Sequence, residues 1–232
     1  MINVMLPTYN EAENIVPLLN MLQQTLESIN KGYYIIVIDD NSPDGTAEIV
    51  KGLDIPNVFV LERSGKKGLG SAYMDGLSHC KYPYTVILDS DLQHDPSTIP
   101  LMLDIATTKR CDIVTGTRYA KGGMVCGWPF RRKLVSSIAN NLAKYTIGLQ
   151  ATDLTGSFRL FKTEVLKRLI PLMNCKGFGF QMEIIARAEC LGFKIEETPV
   201  VFYDRNAGDS KLGVSEILLY LKSLCVLYFS VN

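Results

Sequence analysis

Over the first half of the chain, short apolar stretches alternate with longer stretches that carry apolar residues at helical spacing. The apolar stretches predict β-strands near residues 2–6, 33–39, 57–61, 84–89 and 112–115. Helices are predicted between them, near residues 11–30, 45–53, 69–80 and 97–109. Strands that alternate with helices in this way are typical of a parallel sheet covered by helices. The pattern therefore predicts an α/β fold with a mostly parallel sheet.

Beyond residue 116 this alternation ends. A glycine-rich loop is followed by predicted elements: a helix near 130–147, a strand near 156–161, helices near 163–173 and 180–191, and short strands within 193–202. The last stretch, residues 217–231, is mostly apolar but contains Lys222. As a helix it would be about 22 Å long, which is short of the ~30 Å hydrocarbon core of a bilayer. It is expected either to pack in the core or to contact a membrane or a membrane-embedded partner.

Composition excludes several classes of protein. The 24 basic residues balance the 24 acidic ones, so no net charge attracts nucleic acid. The six cysteines form no C-x-x-C pair and only two histidines accompany them, which argues against a zinc site. The chain begins on a predicted strand without a signal-peptide pattern, and it has no N-x-S/T glycosylation site. We expect a reducing, cytosolic setting with free thiols.

The fourth predicted strand runs into Asp89-Ser90-Asp91-Leu92-Gln93. In an extended segment, residues two apart point to the same face, so the two carboxylates are expected to share one small volume. Such a pair suits a hard divalent cation, which takes further oxygen ligands from water and phosphate, and Gln93 adds a third oxygen donor. The alternative is that acidic residues simply end the strand. Because Asp95-Pro96 already supplies an N-cap and a first-turn proline for the next helix, we favour a metal-diphosphate site.

The ends of the first two predicted strands are also polar. The first ends in Pro7-Thr8-Tyr9-Asn10-Glu11, with neither the glycine fingerprint of a dinucleotide-binding domain nor the lysine-bearing turn of a P-loop. The second ends in Asp39-Asp40, ahead of a Ser42–Gly45 turn. We expect one of these two aspartates to be available to a base or a ribose, although solvated turn acids are about as frequent.

Several blocks resemble known motifs in a fixed order along the chain. They are Leu6–Glu11 (LPTYNE), Ile38–Thr46 (IDDNSPDGT), Asp89–Asp91 (DSD) and Gly116–Tyr119 (GTRY). These blocks resemble the motifs of family 2 glycosyltransferases with the GT-A fold, whose mostly parallel sheet is Rossmann-like and flanked by helices. Within that family, Asp153–Arg159 (DLTGSFR) and Asp204–Gly213 (DRNAGDSKLG) resemble the dolichol-phosphate mannose synthases.

The resemblance implies how the donor, GDP-mannose, is bound. Guanine and ribose would be flanked by Pro7, Tyr9, Glu11, Val37 and Asp39. Mg²⁺ or Mn²⁺ and the diphosphate would be held by Asp89, Ser90, Asp91 and Gln93, with Asp89, Asp91 and Gln93 as the metal ligands. The family usually has alanine where this chain has Ser90, and little consequence is expected from that change.

The resemblance also implies the acceptor site and the catalytic groups. Arg118, Arg205 and Lys211 would contact phosphates, with Asp91 as a further catalytic residue. Arg132 and Ser136 would bind the acceptor phosphate together with Arg118, since residues four apart share a helix face. Two other interpretations are a solvated basic turn and a basic patch that faces a membrane beside Trp128 and Phe130. One catalytic domain, residues 1–232, is expected: a nucleotide-sugar-binding half (1–115), an acceptor half with a lid (116–213) and an apolar C-terminal helix (214–232).

The implied reaction is the transfer of mannose from GDP-mannose to dolichyl phosphate with inversion, for protein glycosylation and GPI-anchor synthesis. The implied setting is peripheral, on the cytosolic face of the endoplasmic reticulum membrane, with small membrane-anchoring subunits as partners. Two alternatives stay open. One is a different nucleotide sugar or polyprenyl phosphate, such as UDP-glucose and dolichyl phosphate, and the other is a non-catalytic nucleotide-binding module.

Overall fold

The computed structural model of the protein describes residues 1–29, 31–175, 179–204 and 224. Its strands are β1 (Ile2–Thr8), β2 (Tyr33–Asp39), β3 (Val58–Glu62), β4 (Tyr84–Ile87), β5 (Ile113–Thr117), β6 (Met124–Val125), β7 (Arg159–Lys162), β8 (Ile195–Pro199) and β9 (Val201–Phe202). Its α-helices are α1 (Ala12–Ser28), α2 (Thr46–Gly52), α3 (Leu69–Leu77), α4 (Ile99–Thr108), α5 (Phe130–Ile147), α6 (Thr163–Leu169) and α7 (Gly179–Cys190). Short 3₁₀ turns cover Pro96–Thr98 and Ile170–Leu172.

Within the described residues, the main sheet has seven strands in the order β3-β2-β1-β4-β7-β5-β8. Only β7 is antiparallel to its neighbours, β4 and β5, so the prediction of a mostly parallel sheet is confirmed. The short strands β6 and β9 form a separate parallel pair. β6 lies in the glycine-rich loop and was not predicted, because two residues are too few to show an alternating pattern.

The sheet divides the core into two layers. Ile36 and Ile38 pack on one face with Tyr73 of α3 and Phe180 of α7. Their neighbours in β2, including Val37, pack on the other face against α1 and α4. Because successive side chains of a strand point to opposite faces, an apolar run such as β2 supplies both layers. Helices on both faces then cover the sheet.

The strand order predicts a crevice beyond the carboxyl ends of β1 and β4. The chain builds β1, β2 and β3 outwards in one direction, and then places β4 on the other side of β1. The segments that follow β1 and β4 therefore leave the sheet side by side, at the point where the strand order reverses. In open α/β sheets, ligands bind beyond the carboxyl ends of the strands at such a point.

The two sequence halves share this one sheet. β7 and β8, from the second half, pair with β4 and β5 of the first. The predicted C-terminal helix lies outside the described residues except for Leu224, which is helical and buried. Within the described part of the chain, no helix combines the length and the apolar character needed to span a bilayer.

Candidate active site

The acidic segment Asp89–Asp91 lies in the crevice between β1 and β4. β4 ends at Ile87, two residues earlier than predicted, so Asp89 lies beyond the strand and Asp91 lies in a bend that follows it. The argument from extended-strand spacing is therefore wrong, although the acids do lie beyond the strand end. Ser90 is buried and its Oγ donates a hydrogen bond to the Pro7 carbonyl oxygen at 3.0 Å. This bond ties the acidic segment to the end of β1.

The backbone turns sharply after Asp91. Leu92 has a φ of 60°, a left-handed conformation that is uncommon for a leucine and costs about 1–3 kcal/mol. The turn lets the Gln93 backbone N–H donate to Asp91 Oδ1 at 3.2 Å. Gln93 forms two hydrogen bonds with the Tyr203 backbone. Its side-chain Nε2 donates to the Tyr203 carbonyl oxygen at 3.1 Å, and its backbone carbonyl oxygen accepts from the Tyr203 N–H at 2.9 Å. The conformation of the segment is thus fixed from three sides.

The side chains present fit a hard divalent cation. Among the described residues, no group of three or more His, Cys, Asp or Glu side chains converges on one point, so a site built wholly from such side chains is absent there. Asp89, Asp91 and the Gln93 amide supply oxygen donors only, and the Gln93 amide nitrogen is already bound to Tyr203. Mg²⁺ and Mn²⁺ suit a few carboxylate oxygens completed by water and substrate phosphate.

Both aspartates at the end of β2 have partners. The buried Asp39 carboxylate accepts bonds from Thr8 Oγ1 at 2.9 Å and from Ser42, through the backbone N–H at 2.8 Å and Oγ at 2.6 Å. Asp40 forms an ion pair with the buried Arg63. Burial raises the pKa of Asp40, and the charge of Arg63 opposes that rise. Both carboxylates therefore have protein partners, but an ionised carboxylate can accept about four hydrogen bonds, so the availability of Asp39 to a ribose or a base stays a prediction.

The other predicted donor residues surround the same crevice. Tyr9 follows β1 and is partly exposed, with the Lys66 ammonium 3.2 Å from its ring centroid. Glu11 precedes α1, where its carboxylate accepts a bond from Asn14. Val37 is fully buried in the core, so its side chain offers no surface to a base. Roles for Tyr9, Glu11 and Pro7 in nucleotide binding stay predictions, and Val37 could contribute only through its backbone.

Arg118 is enclosed by its own ion pair. Its Nε and Nη2 donate to the two carboxylate oxygens of Asp153 at 2.7 and 2.8 Å, and Nη2 also donates to Thr155 Oγ1 at 2.7 Å. Burial lowers the pKa of Arg118, but the facing Asp153 charge outweighs it and the net shift is upward. The rings of Phe202 and Trp128 lie 5.2 and 5.8 Å from the guanidinium carbon. Asp153 thereby holds the cation that was predicted to contact phosphate.

A second cationic group lies at the start of α5. The Arg132 guanidinium stacks 4.0 Å above the Trp128 ring and its Nη1 contacts Asp204 Oδ1 at 3.3 Å. Arg132 Nε and Trp128 Nε1 are both buried, and neither has a hydrogen-bond partner among the residues that the structure describes. Ser136, one turn further, shares a 2.8 Å hydrogen bond with the Tyr119 hydroxyl. These two buried N–H groups, one on Trp128 and one on Arg132 itself, could both donate to an anion, so the predicted acceptor role of Arg132 stays a prediction.

The structure thus places most predicted site residues around one edge of the sheet. Arg205 and Lys211 lie outside the described residues. Sequence reasoning assigned no role to Asp153, Arg63, His94 or Ser157. Asp153 and Ser157 do fall in the block that carried the family resemblance, which was a usable signal, whereas nothing in the sequence links Arg63 to Asp40.

Comparison with known proteins identifies the family. The family described as Glycosyl transferase family 2 matches residues 3–170. The chain belongs to this family. Polyprenol monophosphomannose synthase of Mycolicibacterium smegmatis is 34% identical over 221 residues, which cover 92% of this chain and 82% of that protein. Undecaprenyl-phosphate mannosyltransferase of Micrococcus luteus is 33% identical over 214 residues, which cover 90% and 86%.

Solved structures show that this family 2 glycosyltransferase has the GT-A fold. Glucosyl-3-phosphoglycerate synthase from Mycobacterium tuberculosis, in complex with Mn²⁺, UDP and glucosyl-3-phosphoglycerate, superposes with a TM-score of 0.70 at 18% identity, covering 100% of this chain and 79% of that one. A mannosyltransferase from Pyrobaculum calidifontis, in complex with GDP-Man and Mn²⁺, gives a TM-score of 0.67 at 20% identity, covering 99% and 63%. At these identities the likeness establishes the fold alone.

Proposed function

We propose that the protein transfers mannose from GDP-mannose to the phosphate of a polyprenyl lipid, with inversion at the anomeric carbon. The observation that carries this proposal is the acidic segment Asp89–Asp91, fixed at the crevice of a GT-A fold. Its support is the similarity, over 92% of the chain, to a relative named as a polyprenol monophosphomannose synthase. GDP-mannose as the donor is consistent with the structural neighbour that holds GDP-Man.

In this proposal the chain positions two phosphorylated substrates. Asp89, Asp91 and Gln93 would hold Mg²⁺ or Mn²⁺, which supplies positive charge to the departing diphosphate. No residue of the chain has to act as a general base, because a phosphate monoester has its second pKa near ~6 and is already ionised at neutral pH. The task of the protein is to align the acceptor oxygen with the anomeric carbon and to exclude water.

The acceptor phosphate would bind at the start of α5. Arg132 is held in place by the Trp128 ring, and its contact with Asp204 at 3.3 Å is long for an ion pair. A phosphate dianion, with more charge and more acceptor oxygens than a carboxylate, would compete for Arg132. The buried Trp128 Nε1 and Arg132 Nε would provide further donors.

The acceptor is proposed as a class of lipid. One relative is named for polyprenol and the other for undecaprenyl phosphate. The more specific predictions stay predictions: dolichyl phosphate, the endoplasmic reticulum membrane, protein glycosylation, GPI-anchor synthesis and small anchoring subunits.

A radiolabel assay tests the proposed function. The full chain is incubated with labelled GDP-mannose, Mn²⁺ and dolichyl or undecaprenyl phosphate, and label is counted in the organic phase. Label in that phase that disappears with EDTA is the expected result. Competition by unlabelled GDP but not by UDP supports the guanine donor. Nucleotide binding without any lipid-bound label would overturn the proposal in favour of a non-catalytic module.

Replacing Arg132 by alanine tests the acceptor site. We expect the KM for polyprenyl phosphate to rise about tenfold or more, since a charge-assisted hydrogen bond contributes about 1.5–3 kcal/mol. The KM for GDP-mannose should not change. Lys121→Ala, which removes an exposed cation of the same half, serves as the control. An unchanged acceptor KM in the Arg132 variant would remove this residue from the site.

An exposed apolar stripe on α5 fits a lipid surface. Leu134, Ile138, Leu142 and Tyr145 are 48%, 57%, 45% and 80% exposed, and their spacing of four, four and three places them on one face of the helix. No other described helix carries more than one large hydrophobic side chain exposed to this extent. The helix contains four basic residues and no acidic one. We therefore propose an anionic membrane surface as the occupant of this stripe.

A triple replacement of the stripe tests this docking. Leu134→Glu, Ile138→Glu and Leu142→Glu together should lower sedimentation with vesicles that contain anionic phospholipid by about tenfold or more. Transfer to a water-soluble, short-chain prenyl phosphate should be retained. The matched control places glutamate at Met21, Met74 and Leu101, which are exposed on α1, α3 and α4. Equal loss of sedimentation in both triple variants would contradict a specific role for α5.

A further inference from the structure

Ser157 contacts Asp89, the first acidic residue of the site. β7 runs antiparallel to β4 with Ile87 opposite Arg159. Continuing that register by two residues brings Ser157 opposite Asp89, just beyond the paired part of both strands. The structure shows the resulting contact: Ser157 Oγ donates to Asp89 Oδ2 at 2.5 Å. The strand register therefore determines which side chain meets this carboxylate.

The buried His94 contacts Ser157. His94 Nε2 lies 3.5 Å from Ser157 Oγ, and the His94 ring packs against Phe158 and Phe202 with centroid distances of 5.3 and 4.8 Å. A hydroxyl has one proton, and Ser157 gives it to Asp89, so its contact with the ring must be as an acceptor. The ring proton is then assigned to Nε2, and the buried Nδ1 keeps a lone pair that accepts no hydrogen bond from the described part of the chain.

We infer that Ser157, backed by His94, is a positioning residue that sets the orientation of the Asp89 carboxylate for the divalent cation. This inference rests on the proposed function, since it assumes that Asp89 is a metal ligand. A carboxylate that accepts a short hydrogen bond on one oxygen loses rotational freedom. Partners of this kind, which bind a ligand and not the metal, commonly change metal affinity by about 10–100-fold when they are removed.

The test measures metal binding directly. Mn²⁺ is titrated into the full chain in the presence of GDP, and free Mn²⁺ is followed by electron paramagnetic resonance. For Ser157→Ala we expect the Mn²⁺ dissociation constant to rise about tenfold or more. The melting temperature and, at saturating Mn²⁺, the affinity for GDP should stay close to those of the wild type. Ser157→Thr keeps the hydroxyl and should restore most of the Mn²⁺ affinity.

Two comparisons separate failure of this inference from failure of the proposed function. Ser97→Ala, an exposed serine, should leave Mn²⁺ affinity unchanged. If the wild type binds Mn²⁺ with GDP and Ser157→Ala binds it equally well, Ser157 does not position Asp89, and the proposed function still stands. If the wild type binds no Mn²⁺ with any nucleoside diphosphate, the proposed function fails first and this inference fails with it.

Discussion

Replacing Asp91 by asparagine is expected to reduce metal-dependent mannosyl transfer by about 10²–10³-fold or more, because it removes one of two charges that would hold the cation at the diphosphate. Asparagine has nearly the same shape and keeps an oxygen that can accept the bond from the Gln93 N–H. The fold should therefore be preserved while the charge is lost. The measurement is the initial rate of label transfer from GDP-mannose at several Mn²⁺ concentrations.

The control for this variant is Asp104→Asn, which neutralises an exposed aspartate on α4. It should transfer mannose at the wild-type rate. Circular dichroism and the melting temperature check that the Asp91 variant is folded. Wild-type activity of a folded Asp91→Asn protein would refute the assignment of this residue to the metal site.

Replacing Asp153 by asparagine is expected to destabilise the protein by about 3–5 kcal/mol, because the buried Arg118 charge loses its partner. Asp153 is fully buried and accepts two bonds from the Arg118 guanidinium and one from the Arg118 backbone N–H at 3.1 Å. The double variant Asp153→Asn with Arg118→Met should lose less unfolding free energy than Asp153→Asn alone, because no buried charge is then left without a partner. Urea unfolding followed by circular dichroism gives these free energies.

An exposed ion pair provides the contrast. Glu164 pairs with Lys167 on the surface of α6, and Glu164→Gln should change the free energy of unfolding by no more than about 0.5 kcal/mol.

The stability that Asp153 contributes should depend on pH. Burial raises the pKa of Asp153, but the Arg118 charge and hydrogen bonds outweigh burial and the net shift is downward. The contribution of Asp153 is therefore complete above its unfolded pKa near ~3.9 and is lost as the pH falls through the lower, folded value. An Asp153 variant as mild as the Glu164 variant would contradict this account of Arg118.

The sheet was predictable because its strands are apolar runs separated by amphipathic helices. β2 illustrates this: its burial on both faces requires an unbroken apolar sequence, and such a run is recognisable in one sequence. β6 was missed because a two-residue strand carries no periodicity. The end of β4 was placed too late because Leu88 continues the apolar run, and the turn at Leu92 has no glycine or asparagine to mark it.

The candidate site was only partly predictable for a related reason. Motifs reveal which residue types gather near the chemistry, but they do not reveal which side chains bind each other. Arg118 was predicted as a cation for phosphate, while its enclosure by Asp153 depends on a contact 35 residues away in the chain. The contact of Ser157 with Asp89 spans 68 residues and depends on the β4–β7 register. Antiparallel insertion of β7 into a parallel sheet is a tertiary feature that local pattern does not encode.

Anomalous diffraction from a crystal of the protein grown with GDP and Mn²⁺ is the most direct measurement of the central claim. The account predicts one Mn²⁺ peak at the crevice between β1 and β4, coordinated by Asp89 and Asp91 and by oxygens of the GDP diphosphate. It would be contradicted by a structure in which GDP binds elsewhere on the chain, or in which both carboxylates point into solvent with the metal absent from them.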